Sequence, residues 1–102
     1  MKNLRLTKSG NEILIEGNLD FENVVDALNT SYPYIDAATN KLVFNFSNLQ
    51  QSNSAGLALM TNLLRYANKK HKSIYLSNIP EKLLSAAKIS NLDEILLCAQ
   101  MT

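Results

Sequence analysis

The sequence predicts an α/β fold, a mixed β-sheet of four to five strands with helices packed on one face. Two observations carry this. Segments with the two-residue period of strands alternate with segments of helical period, in the order β-β-α-β-α-β-α plus a tail. The first two strand-like runs are joined by a turn signal, whereas the later ones are separated by helical patterns. A short turn makes an antiparallel hairpin, and helical connections imply crossover units with parallel pairing. Those crossovers are expected to be right-handed. A chain of 102 residues has room for one domain, and residues 1–102 are read as one.

The first segment, Asn3 to Thr7, alternates Leu4 and Leu6 with polar residues, the pattern of a half-buried strand. Ser9-Gly10-Asn11 marks a turn, and Glu12 to Glu16 reads as the second strand, closed by Gly17. Asp20 has the chemistry of a helix cap, with Glu22 favourable in the first turn. Phe21, Val24, Val25, Leu28 and Tyr32 follow at helical spacing, and Pro33 predicts a stop near Tyr32. After Asn40, the segment Leu42 to Phe46 reads as a strand with Leu42, Phe44 and Phe46 on one face. Residues Ser47 to Asn53 are polar and are expected to form a loop.

A long helix is predicted from Ser54 to about Lys70. Leu57, Met60, Leu64 and Ala67 share one side, with Leu59, Leu63 and Tyr66 beside them. That apolar arc is wider than a simple surface helix needs, so Leu59, Leu63 or Tyr66 are candidates for partner contact. Ser73 to Ser77 is a further strand. Asn78 and Pro80 then mark a turn and the start of a third helix, with Leu83, Leu84, Ala87 and Ile89 on its apolar side. Asn91 to Leu97 is expected to be a short last element built on Leu92, Ile95 and Leu96.

Composition narrows the function classes. Hydrophobic residues make up 46% and charged residues 19% of the chain, which is ordinary globular usage. Ten basic residues against nine acidic ones leave a formal net charge of +1, so a nucleic-acid partner is not expected. The cluster Lys69, Lys70, His71 and Lys72 falls where the long helix ends, and cations there complement the helix dipole. A weak anionic contact is the alternative for that cluster. One cysteine, Cys98, allows no internal disulfide, and no Cys/His grouping points to a metal. No signal peptide or bilayer-length apolar run is read, so a cytoplasmic protein is expected.

Catalytic arrangements are poorly supported. The patterns GxxxxGK[ST] and GxSxG are absent. His71 is the only histidine, and a helix rising about 1.5 Å per residue puts it about 25 Å from Ser54. A nucleophile and its base must touch. Glu16, Asp20, Asp93 and Glu94 read more simply as caps and surface charges, Cys98 as inert, and Phe21, Phe44, Phe46 and Tyr75 as core aromatics. No enzyme activity and no cofactor are expected.

The informative segment is Asn53-Ser54-Ala55-Gly56-Leu57, between a strand and the longest helix. Ser54 has the chemistry of an N-cap, and Gly56 leaves room for another backbone to approach. Read plainly this is a capped helix; read functionally it is an accessible docking platform. With Gly17-Asn18-Leu19-Asp20, the segment resembles the STAS domain family. Ser54 to Met60 looks like the helix start of the MlaB-type branch, and Ile79 to Leu83 and Asn91 to Leu96 are also similar to it.

The resemblance implies a non-catalytic subunit that binds the cytoplasmic MlaF-like ATPase of an MlaFEDB-type ABC transporter. It would support assembly or activity in phospholipid trafficking and outer-membrane lipid asymmetry, reaching the inner membrane only through its partner. The expected contact residues are Ser54, Ala55, Gly56, Ala58, Thr61, Asn62 and Arg65. The alternative is an anti-sigma factor antagonist, phosphorylated on Ser54 by an anti-sigma factor kinase. Asn53 departs from the Asp usual before the phosphorylated serine in that branch.

Overall fold

The computed structural model describes residues 2–92 and 99–101. The elements are β1 (Leu4–Ser9), β2 (Glu12–Leu19), α1 (Val24–Ala37), β3 (Leu42–Ser52), α2 (Ala55–Lys69), β4 (Ile74–Ser77), α3 (Glu81–Ile89) and β5 (Gln100–Met101). They build one five-stranded sheet in the order β1-β2-β3-β4-β5. β1 and β2 pair antiparallel; the remaining neighbours pair parallel. Because the parallel strands progress in one direction, right-handed crossovers put α1, α2 and α3 on the same face. The mixed sheet, its helices and the hairpin start agree with the sequence reading.

Alternation decides which residues form the core. Ile13 and Ile15 of β2, Phe44 and Phe46 of β3, and Leu76 of β4 point under the helices and are fully buried. Ala27 and Ile35 of α1 and Leu59, Met60 and Leu63 of α2 cover them. On the opposite face Glu12, Leu14, Asn45, Tyr75 and Ser77 remain partly exposed, the expected signature of a sheet covered on one side.

Four local expectations are corrected. First, α1 runs through Pro33 to Ala37 rather than stopping at Tyr32. Proline removes a single N–H, and the carbonyl it strands, that of Asn29, belongs to an exposed residue that water can reach. Buried Ile35 holds the final turns down. Second, the polar segment Ser47 to Ser52 is not a loop but the end of β3. It pairs with β2 from Glu16↔Asn48 to Leu19↔Ser52 after register shifts. Backbone pairing there is independent of side-chain polarity. Third, Ile89 is 86% exposed and lies off the apolar side formed by Leu83 and Ala87. Fourth, Leu59 and Leu63 are fully buried, so the wide apolar arc of α2 serves α1 and the sheet rather than a partner. Tyr66, the third member of that arc, stacks on Tyr32. The expectations for Asp93 to Cys98 lie outside the described residues.

His71 adopts φ +57° just past α2, where its N–H donates to the Asn68 carbonyl and the Lys72 N–H donates to that of Ala67. This is a left-handed C-terminal cap. It places His71 at the end of α2 remote from Ser54.

Candidate functional site

The site lies where β2 and β3 leave the sheet. The register sets Leu19 beside Ser52. Two residues further along each chain come Phe21 and Ser54, so the first turns of α1 and α2 start side by side. Both strands are parallel and both helices return over the same face, so this pole gathers the loop ends of the fold, the position where open α/β sheets present their ligand-facing residues.

Each turn has its own reason to form. Gly17 sits at φ +109°, and a Cβ there would collide with the Asn3 carbonyl oxygen, so only glycine fits. Asp20 Oδ1 accepts the Glu22 N–H at 2.8 Å and the Asn23 N–H at 3.1 Å, while Asn23 Oδ1 accepts the Asp20 N–H at 3.0 Å. This reciprocal pair is a capping box with Asn in the fourth position. Asp20 therefore closes the turn that leads into α1, whereas the residue at the helix N-cap itself is Asn23, which makes no side-chain cap hydrogen bond. Asn23, which the sequence reading passed over, is 2% exposed. Its amide donates to the Lys2 carbonyl at 2.8 Å and the Asn18 carbonyl at 2.9 Å. Polar residues in a first helical turn look alike in sequence, so nothing marked Asn23 as the one turned inward.

At α2 the capping role moves by one residue. Ser54 makes no side-chain cap hydrogen bond. Asn53 does the work instead: its Oδ1 accepts the Ala55 N–H at 2.8 Å, and its carbonyl accepts the Gly56 N–H at 2.9 Å. Ser54 is thus exposed with a hydroxyl that the helix does not need.

The expected contact residues divide into two sets. Ala55 is 0% exposed and Gly56 is buried, so neither offers surface to a partner. The close approach that Gly56 permits is used inside the molecule. A Cβ on it would meet Ser52 Oγ and would lie 2.7 Å from Leu83 Cδ1, so α3 packs where a side chain would stand. Ser54 and Arg65 are exposed, and Ala58, Thr61 and Asn62 are partly exposed. Asn62 Nδ2 donates back to the Ala58 carbonyl at 2.7 Å, while Thr61 Oγ1 is buried with no partner among the described residues.

The structure adds exposed apolar surface, including Phe21, which was read as core. Phe21 is 62% exposed and Val25 59% exposed. α1 buries Val24, Ala27, Ser31 and Ile35, a stripe at helical spacing, and Val25 lies about 100° around the helix from Val24. Phe21 precedes the helix in its capping turn and points outward. Beside this surface a cleft of about 380 Å³ is lined by Asn18, Asp20, Asn53, Pro80, Lys82 and Leu83. Among the described residues there is no His/Cys/Asp/Glu group able to hold a metal, and no helix long and apolar enough to cross a membrane.

A family model described as "Mlab, STAS domain" matches residues 3–98. The chain belongs to that STAS domain family. Two solved structures share its fold. The anti-sigma factor antagonist SpoIIAA in its unphosphorylated form superposes with a TM-score of 0.68 at 20% identity, over 96% of this chain and 85% of that one. A putative anti-sigma factor antagonist from Thermotoga maritima gives 0.69 at 18% identity, over 91% of this chain and 82% of that one. No curated protein matches this STAS domain significantly.

Proposed function

We propose that this STAS domain is a non-catalytic subunit that docks onto the cytoplasmic ATPase of an MlaFEDB-type ABC transporter and supports its assembly or activity in phospholipid trafficking. Membership of the MlaB-type family supports this reading. The observation that carries it is the α2 start, where Ser54 presents an exposed hydroxyl that no cap consumes. Ala58, Thr61, Asn62 and Arg65 extend that surface along α2, and Phe21 and Val25 supply exposed apolar area at the neighbouring helix start. Aromatic residues such as Phe21 are enriched at the centre of protein interfaces, and polar residues form the rim around them. Docking acts by stabilising whichever ATPase conformation it binds more tightly.

The test is co-purification of Ser54→Glu and Ser54→Arg with the co-expressed ATPase. Both variants are expected to fold with unchanged circular dichroism and to lose the ATPase. Recovery of the complex at wild-type yield overturns the reading.

A second reading is an anti-sigma factor antagonist switched by phosphorylation of Ser54. It is favoured by the same free hydroxyl at a helix N-terminus, where added negative charge is well tolerated by the helix itself. Intact mass after incubation with an anti-sigma factor kinase separates the two, since a single phosphate on Ser54 is expected only under the second.

A further inference from the structure

We infer that a second site, at the opposite pole from the docking tip, binds a phosphate-bearing anion in the cleft between the β1–β2 turn and the end of α1. The cleft holds about 200 Å³ and is lined by Lys8, Asn11, Tyr34, Thr39, Asn40 and Lys41 among others. Every one of these side chains offers a hydrogen-bond donor, and none of the described residues lining the cleft is acidic. The volume is below the roughly 300–1,000 Å³ of drug-sized pockets, so it suits a phosphate group with its ester carbon rather than a whole nucleotide.

The lysines are placed for this. Lys8 Nζ donates to the Gly10 carbonyl at 2.8 Å, which anchors the ammonium at the lip and leaves its other protons free. Lys41 stands on the ridge between the cleft and the open sheet face, its Nζ 5.8 Å from the Tyr75 ring centroid. Its flexible stem allows the charge to swing to either side. The usual objection to an anion at this place is the negative end of α1. Lys72 meets it, because its Nζ donates to the Ala38 carbonyl at 2.9 Å and covers that end with a positive charge.

The surroundings reinforce the sign. Lys69, Lys70 and His71 end α2 at the same pole. Of the carboxylates at this pole among the described residues, Asp36 is engaged by the Tyr66 hydroxyl, and Glu12 lines an adjoining groove that shares Asn11 and Lys41 with the cleft. Among the described residues, a net charge of +1 therefore conceals an excess of basic over acidic side chains at this pole. This site does not depend on the docking proposal and stands or falls separately.

The experiment titrates inorganic phosphate into isotope-labelled protein and follows amide shifts. It also measures retention on vesicles of phosphatidylglycerol with phosphatidylcholine against phosphatidylcholine alone. The expected result is saturable shifts confined to residues 8–11 and 38–41. K8Q/K41Q should weaken binding about tenfold or more, whereas K69Q/K88Q, which removes the same charge from exposed positions outside the cleft, should leave it unchanged. Vesicle retention that phosphate competes away identifies a lipid head group as the source. Phosphate binding without retention identifies a soluble phosphate ester. Either outcome upholds the site. Shifts that never saturate, shifts that follow Lys69, Lys70 and Lys88, or equal losses in the two double variants overturn it.

Discussion

Tyr32 and Tyr66 stack with ring centroids 4.1 Å apart, and the Tyr66 hydroxyl donates to the Asp36 carboxylate at 2.8 Å. The contact ties the middle of α1 to the last third of α2. It fixes which helix stripes face each other, because residues one and two turns back from each tyrosine are thereby aligned. The two helix starts that form the proposed docking tip are set by this clamp as well as by the sheet.

The clamp predicts a pH dependence. The hydrogen bond to Asp36, then desolvation, then the Asp36 and Tyr32 charges hold the Tyr66 phenol above its ordinary value of 10.0. A proton held more tightly in the folded state stabilises it below the unfolded pKa, and that contribution is lost as pH rises through the folded pKa. Stability is therefore expected to be flat in this term below pH 10.0 and to fall above it. Tyr66→Phe keeps the stack and should remove this alkaline loss. Denaturant midpoints from pH 8 to 11, with tyrosinate absorbance as a second readout, check it.

Gly56→Ala is expected to destabilise the fold by about 1–3 kcal/mol, the cost of overpacking a filled interior. The added methyl has Leu83 Cδ1 at 2.7 Å on one side and Ser52 on the other. Leu83 can yield only by moving out of the α2–α3 contact. Urea denaturation measures the loss. A neutral result would show that α3 gives way freely, and that Gly56 is not needed for packing.

Asn53→Ala should cost about 1 kcal/mol, the typical worth of a helix cap, since its side chain holds the Ala55 N–H. Ser54→Ala should change stability by no more than about 0.5 kcal/mol, as surface substitutions do. The reverse order of these two effects in thermal denaturation would restore Ser54 to the capping role.

That pair shows what the sequence makes legible and what it does not. Periodicity was enough for the sheet, its helices and the hairpin, because burial on one face imposes a two-residue or a 3.6-residue repeat whatever the partners are. The α2 start stood out for a different reason, the capping chemistry of Ser54 beside the small residues Ala55 and Gly56 and the resemblance of that segment to the STAS family. The sequence could not say which of two adjacent capping-competent residues, Asn53 or Ser54, turns its oxygen to the helix, since both have the chemistry. Nor could it separate Val24 from Val25, one buried and one exposed, because a phase error of one residue swaps them. Gly56 was legible as a close approach, but the approaching group, Leu83, comes from α3, and single-sequence spacing carries no information about such contacts.

Asn23→Leu is expected to destabilise by about 2–3 kcal/mol despite its similar volume. Its amide satisfies the Lys2 and Asn18 carbonyls, and its Oδ1 satisfies the Asp20 N–H. Leucine makes none of these bonds, and the Asn23 side chain that makes them is itself 2% exposed. Hydrogen exchange should report the damage as faster opening at the start of β1, the end of β2 and the first turn of α1. Loss spread evenly over the chain would mean that Asn23 acts on global packing and not on that junction.

Phe21→Ser with Val25→Ser tests whether the exposed apolar area belongs to the docking surface. These side chains are 62% and 59% exposed, so replacing them removes little burial from the free domain. Stability is expected to stay within about 0.5 kcal/mol of the parent. Burial under a partner would change that balance, because a central aromatic anchor contributes about 2 kcal/mol or more at an interface. The double variant should therefore weaken binding of the transporter ATPase by at least about thirtyfold in a pull-down titration or by calorimetry. Ser54→Ala removes only a hydroxyl and should weaken it less. If the serine pair binds as tightly as the parent, the interface leaves the α1 start uncovered, and the contact must run from Ser54 along Ala58, Asn62 and Arg65 alone.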